Sequence, residues 1–201
     1  HILHDNCKTG KVDISRRLLD PIAGHDKLRY LSFYSPSFAA LDIPDLSCMT
    51  ALEELVINTH VVHGTASFAF SAPELRLVLI NLNGASIPYK ALGSCKKLCS
   101  LILYCAGPIS CTDFPKLENL EWLSLLSDIS PKEMFALARK CRPKRVELLR
   151  ITDTHVAAME RWKRLEHLSV FHPSLSTPAK LKAFRYLKKL SIGPIDVDDE
   201  L

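Results

Sequence analysis

Glycine is scarce in this chain, with seven in 201 residues. There is no Gly-rich phosphate loop, no Gly-x-Ser-x-Gly elbow and no His-Glu-x-x-His pair. The usual sequence signatures of nucleotide binding, acyl transfer and zinc-dependent hydrolysis are therefore missing. No apolar run approaches the roughly 20 residues of a membrane span, and no Asn-x-Ser/Thr sequon occurs. Paired cysteines are lacking too. The seven present (Cys7, Cys48, Cys95, Cys99, Cys105, Cys111 and Cys141) are odd in number and form no cluster at either end. Both features oppose a disulfide framework and favour a reducing, intracellular compartment, the cytoplasm first. The C-x3-C-x5-C-x5-C spacing from Cys95 matches no common zinc arrangement. His60 and His63 have an i, i+3 spacing that could serve a metal. Small buried thiols are the simpler expectation for the cysteines. No catalytic residue, cofactor or metal site is expected, and the chain is not expected to be an enzyme. The first residue is His1, as in a processed or partial product, and no signal-peptide-like segment follows.

What the chain does have is repetition. The pattern Leu-x-x-Leu-x-Leu, its last two slots open to any large apolar residue, begins at Leu28 and recurs at 52, 75, 98, 120, 146, 165 and 187. The intervals are 24, 23, 23, 22, 26, 19 and 22 residues. In a strand, residues two apart share a face, so the second and third slots point together into a core. One such unit buries nothing alone; stacked units bury one another's slots behind a parallel sheet. At 47% hydrophobic and 24% charged, the chain is globular in composition.

Eight copies in near-register resemble the leucine-rich-repeat superfamily. The resemblance implies an α/β, horseshoe-like solenoid: a parallel concave β-sheet, with helices or irregular returns on the convex side. One domain is expected over residues 1–201. Residues 1–27 would form an N-terminal capping segment, 28–194 about eight repeats, and 195–201 an acidic tail. The cap would include a degenerate strand at Val12 and Ile14 and a short helix from Ser15 to Leu19. The family's asparagine slot, eight residues after the first leucine, is matched only by Asn83, so the repeat is degenerate. Cys48, Cys95 and Cys141, just ahead of a unit, resemble the cysteine-containing subclass, frequent in substrate-recognition subunits of ubiquitin ligases. Its full pattern is not met, and no F-box-like segment precedes the repeats. Secreted members usually carry disulfide end caps, which this chain does not show.

The returns change character along the chain. Pro36, Pro44, Pro73 and Pro88 predict irregular or 3₁₀-like early returns. Later ones are predicted to be helical. Ser130-Pro131-Lys132-Glu133 combines an N-cap, a proline at the first helical position and a glutamate that completes a capping box. Further helices are predicted from Thr154 and from Thr177-Pro178.

Residues between the inward slots face the opposite, concave side. Its middle is apolar: Leu77, Leu79, Ile102, Tyr104, Trp122, Leu126 and Leu148, with Arg150, His167 and Lys189 beyond. Aromatic and aliphatic anchors with a polar surround define a protein-binding surface. The leading anchors are Trp122, Tyr104 and Leu79, and Arg150 and Lys189 form a basic rim. From Lys132 to Lys189 there are 15 Lys and Arg against five Glu and Asp, a local balance of +10 against +4 for the whole chain. A solvated convex face is the simplest account; an acidic protein comes next, then RNA. Few aromatics are interleaved for base stacking, and no RNA-binding motif is present. The expected function is a non-catalytic protein-interaction scaffold, first a structural subunit of a larger intracellular complex. The alternatives are a ubiquitin-ligase-type recognition module and an RNA-binding protein.

Overall fold

Alternating apolar residues make strands here because each strand has a neighbour 22 to 24 residues away in register. The computed structural model describes residues 25–38, 42–43, 49–61, 67–68, 72–82, 89–105, 109–176 and 178–193. The strands are β1 (Tyr30–Phe38), β2 (Asp42–Ile43), β3 (Glu54–Val61), β4 (Ser67–Phe68), β5 (Leu77–Leu82), β6 (Ser100–Cys105), β7 (Trp122–Leu125), β8 (Arg145–Thr152), β9 (His167–Ser174) and β10 (Lys189–Ile192). Helix α1 (Pro131–Ala138) lies between β7 and β8, and α2 (Asp153–Met159) between β8 and β9. Turns of 3₁₀ helix occupy Tyr89–Ser94 and Pro178–Ala183. The fold is α/β. Eight strands form one parallel sheet in the order β1-β3-β5-β6-β7-β8-β9-β10, so each main strand pairs with the next along the chain. β2 and β4, in the first two returns, pair as a separate parallel ribbon that the sequence pattern does not announce.

Backbone hydrogen bonds repeat with the units. The carbonyl of the residue after each first slot accepts two N–H groups from the next unit. Arg29 O takes Glu53 N at 2.8 Å and Glu54 N at 3.0 Å, and the motif continues to Glu166 O, which takes Lys188 N and Lys189 N. Each first-slot N–H also closes a turn onto the carbonyl three residues before it, as Leu52 does to Met49 and Leu98 to Cys95. Six of the residues that close these turns (Met49, Ala72, Cys95, Leu117, Trp162 and Phe184) are buried, while His25, which closes the first, is exposed. They are a fourth apolar slot that the sequence pattern leaves unmarked.

The core lies behind the sheet. Leu52, Leu55, Ile57, Leu75, Val78, Ile80, Leu98, Leu101, Leu103, Leu120, Leu123 and Leu125 are each at most 2% exposed. The sixth unit differs from its expected register. Val146 pairs with Leu123 and Leu168, and Leu148 pairs with Leu125 and Val170. Leu148 is therefore a core residue at 0% exposure, not a member of the opposite face, while Leu149 is half-buried. The first slot is the buried Pro143 rather than Val146. Starts at 120, 143 and 165 restore the steady period that the intervals of 26 and 19 had broken. Proline has no N–H with which to close the first-slot turn, so this unit looks unlike the others in sequence.

α1 forms as expected. Ser130 Oγ accepts the Glu133 N–H at 3.2 Å, and Pro131 opens the helix. The Glu133 carboxylate, however, reaches back one unit to accept the Cys111 N–H. α2 is fastened the same way. His155, 4% exposed, accepts the Thr152 N–H at Nδ1 (3.0 Å) and lies 2.8 Å from the Ile129 carbonyl at Nε2. These contacts require the Nε2–H tautomer and tie the helix to the preceding return. The predicted final helix is a 3₁₀ segment instead. Leu190 and Ile192, expected inside, are each 42% exposed because β10 is the edge strand of the sheet. Residues 1–24 of the expected capping segment 1–27, with Asn83, His63 and the acidic tail, lie outside the described residues. No helix among the described residues is long and apolar enough to cross a membrane.

Candidate functional site

The face of the sheet away from the core is built from lateral rows, one residue per strand. One row runs Tyr30, Glu54, Leu77, Ser100, Trp122, Arg145, His167, Lys189. The next runs Ser32, Val56, Leu79, Ile102, Ser124, Glu147, Ser169, Ser191. In a third, Asn58, Asn81 and Tyr104 are aligned, and Asn81 Nδ2 donates to Asn58 Oδ1 at 3.0 Å. Parallel strands lie about 4.8 Å apart, so neighbours within a row touch.

Seven of the ten residues singled out from sequence fall in these rows: Leu77, Leu79, Ile102, Tyr104, Trp122, His167 and Lys189. Leu126 follows β7 directly, half-buried, and its N–H is bound to Leu103 O at 2.9 Å. Ile102 is sunk to 6% exposure, whereas Leu77, Leu79, Tyr104 and Trp122 stay partly accessible. Leu148 is removed to the core. Arg150 is exposed and pairs laterally with His172, beyond the point where β8 loses its simple alternation. Arg145 takes its place beside the apolar strip: its guanidinium lies 4.4 Å from the Trp122 ring centroid. The same guanidinium donates to Glu147 at 2.6 Å. A cation over an indole face is attracted by the ring quadrupole, and it stiffens both side chains. A constant step of 23 residues from Trp122 would have found Arg145; the broken period of the sixth unit hid it.

Trp122 Nε1 and Ser124 Oγ are buried without a protein hydrogen-bond partner. Ser124 is 0% exposed, beneath the open face. A buried hydroxyl left unpaired costs about 1–3 kcal/mol. Ser124→Ala is therefore expected to leave stability unchanged or raise it by up to about 1 kcal/mol in a urea titration. A loss of that size would mean that the hydroxyl is bonded.

Along the strand entrances, charges alternate between units. Arg29 pairs with Glu53, Glu74 with Lys97 at 2.5 Å, Glu121 with Lys144 at 2.6 Å, and Glu166 with Lys188 at 2.8 Å. Asp153 and Lys180 make a similar pair farther round, at 2.6 Å. Hydrogen bonds from Lys144 and Lys188 hold the Glu121 and Glu166 carboxyls below the usual range. Exposed pairs of this kind add little stability but favour one lateral register over its neighbours.

Cys95, Cys99, Cys111 and Cys141 are free thiols, and all but Cys99 are buried. Burial pushes the Cys111 thiol up to about 12, helped by the Glu133 carboxylate. Burial also raises Cys141, with Cys111 adding to it. Among the described residues no group of three His, Cys, Asp or Glu converges as metal ligands would. Compared with known proteins, the chain matches no family model and no curated protein.

Proposed function

We propose that the chain is a leucine-rich-repeat-like solenoid acting as a non-catalytic protein-interaction scaffold inside the cell, a subunit or recognition module of a larger assembly. Its partner lies on the open face of the sheet. The observation that carries this is the apolar strip of Leu77, Leu79, Ile102, Tyr104, Trp122 and Leu126, contiguous across β5, β6 and β7. The steady 22-to-24-residue register and the repeated carbonyl ladder support the solenoid reading. The free thiols support a reducing compartment. The mechanism is preorganisation. Trp122, held under Arg145 on a paired strand, has little rotamer freedom left to lose on binding.

A central tryptophan of such a surface is a hot-spot candidate, worth at least about 2 kcal/mol, or roughly 30-fold in affinity. Capture of partners from native extract by the whole chain is expected to fail with Trp122→Glu/Leu79→Glu, while circular dichroism stays unchanged. Retention of every partner by the folded variant would refute the open face as the binding surface.

A further inference from the structure

Where the chain turns into β8, β9 and β10, its charges fall into three columns that run across the units. The middle column is neutralised by alternation, Glu121 against Lys144 and Glu166 against Lys188. The columns on either side are not. On the open face, Arg145, His167 and Lys189 are direct lateral neighbours. In the turns, Arg142, Arg164 and Arg185 are exposed one or two residues ahead of the buried Pro143, Leu165 and half-buried Leu187. Of these six, only Arg145 makes an ion pair among the described residues, with Glu147; Arg164 and His167 lie close enough to Glu121 and Glu166 to help lower those carboxyls without bonding them. Like-charged residues stacked at strand spacing repel, and the same strands place acids correctly one position away. Positive charge is thus in excess on both sides of a column that carries its own anions.

We infer that this basic lip binds an acidic segment of a partner protein, whose apolar residues continue onto the strip over β5, β6 and β7. The inference rests on the open-face reading and specifies its partner. Three features favour an acidic–apolar polypeptide over a nucleic acid. The lip is continuous with the apolar strip through Trp122 and Arg145, which are paired across β7 and β8. The Trp122 ring face carries Arg145, so it offers no platform for a base. Glu121, Glu147 and Glu166 sit within the lip, which a continuous phosphate backbone would meet with repulsion and a mixed peptide can step past. Between the turns that lead into β9 and β10 lies a recess lined by Trp162 and Phe184, with Lys163 and Arg185 outnumbering the one acid there, Glu160. That combination suits a segment in which apolar and acidic side chains adjoin.

The test is selection of a random peptide library, displayed on phage, against the immobilised full chain. The best peptide is then titrated by fluorescence polarisation against the native protein, Arg164→Glu/Arg185→Glu and Trp122→Glu, with polyuridylate RNA as a parallel probe. All variants are checked by circular dichroism. Enrichment of peptides with Asp or Glu beside large apolar residues is expected, with affinity falling at least about tenfold in each variant and falling with added salt. If apolar peptides without acids are enriched, and only Trp122→Glu weakens them, the acidic partner is refuted while the open face stands. If no peptide is enriched, or neither variant weakens the peptides obtained, both readings fail. If polyuridylate binds more tightly than any selected peptide, the lip is a nucleic-acid surface and the inference is overturned.

Discussion

Leu148→Ala is expected to lower the free energy of unfolding by about 2–5 kcal/mol, the range for a buried leucine truncated to alanine. Leu149→Ala, one residue away, is expected to cost about 1 kcal/mol or less. The asymmetry comes from the lateral register. Leu148 is fully buried between Leu125 of β7 and Val170 of β9, whereas Leu149 is half-buried on the other side of the strand. Sequence spacing from Val146 assigns the two leucines the opposite roles, because a one-residue shift in a strand exchanges its faces. Urea titrations of both variants, followed by circular dichroism, decide the matter. A larger loss for Leu149→Ala would restore the irregular spacing and return Leu148 to the open face.

Stability is expected to fall steeply above pH 9, chiefly through two thiols. Cys111 is raised from its ordinary 9.0 to about 12, and Cys141 is raised as well, each first by burial. Below the unfolded value both states keep these protons and neither thiol biases folding with pH. Above it, the unfolded chain releases protons that the folded chain retains, so the unfolded state gains with every further pH unit. The loss continues until the folded thiol itself ionises, near 12 for Cys111. The slope is about 1.4 kcal/mol per pH unit for each thiol, so about 3 kcal/mol per unit for the pair. Between pH 9 and 11 the loss sums to roughly 4–5 kcal/mol, comparable to the lower end of a domain's usual stability of about 5–15 kcal/mol. The check is the urea midpoint as a function of pH for the native chain and for Cys111→Ala/Cys141→Ala. The double variant is expected to show the shallower slope. Comparing slopes rather than absolute stabilities removes the cost of the small cavities. Coincident slopes would show that the thiols titrate alike folded and unfolded.

Much of the sheet was legible because its periodicity is a local property of the chain. Leu52, Leu55 and Ile57, then Leu75, Val78 and Ile80, announce both a strand and its buried face, and the next unit repeats the statement. The helices were legible where their starts carry chemistry, as at Ser130-Pro131. The misplacements in the sixth unit share one physical cause. Pro143 holds a slot in which a leucine was expected, and Leu148-Leu149 fits either register when taken alone. Only the pairing of Val146 with Leu123 and Leu168 selects one of them. Arg145 was lost with the same slip, because its role depends on lying beside Trp122. His155 and Glu133 were invisible as cross-unit ties, since their partners, Ile129 and Cys111, lie 26 and 22 residues back.

The amino-acid sequence by itself determined the α/β character of the chain, the length of its units and the apolar side of most strands. These follow from which residues recur at spacings of two, three and about 23, and each copy restates them. The tertiary structure decided which of two adjacent leucines is buried, which arginine caps the tryptophan, and which charges remain unpaired at the entrances to β8, β9 and β10. Those outcomes depend on the residue of the neighbouring strand that lies opposite. A lateral neighbour is set by stacking many units at once, so no single copy of the repeat contains it.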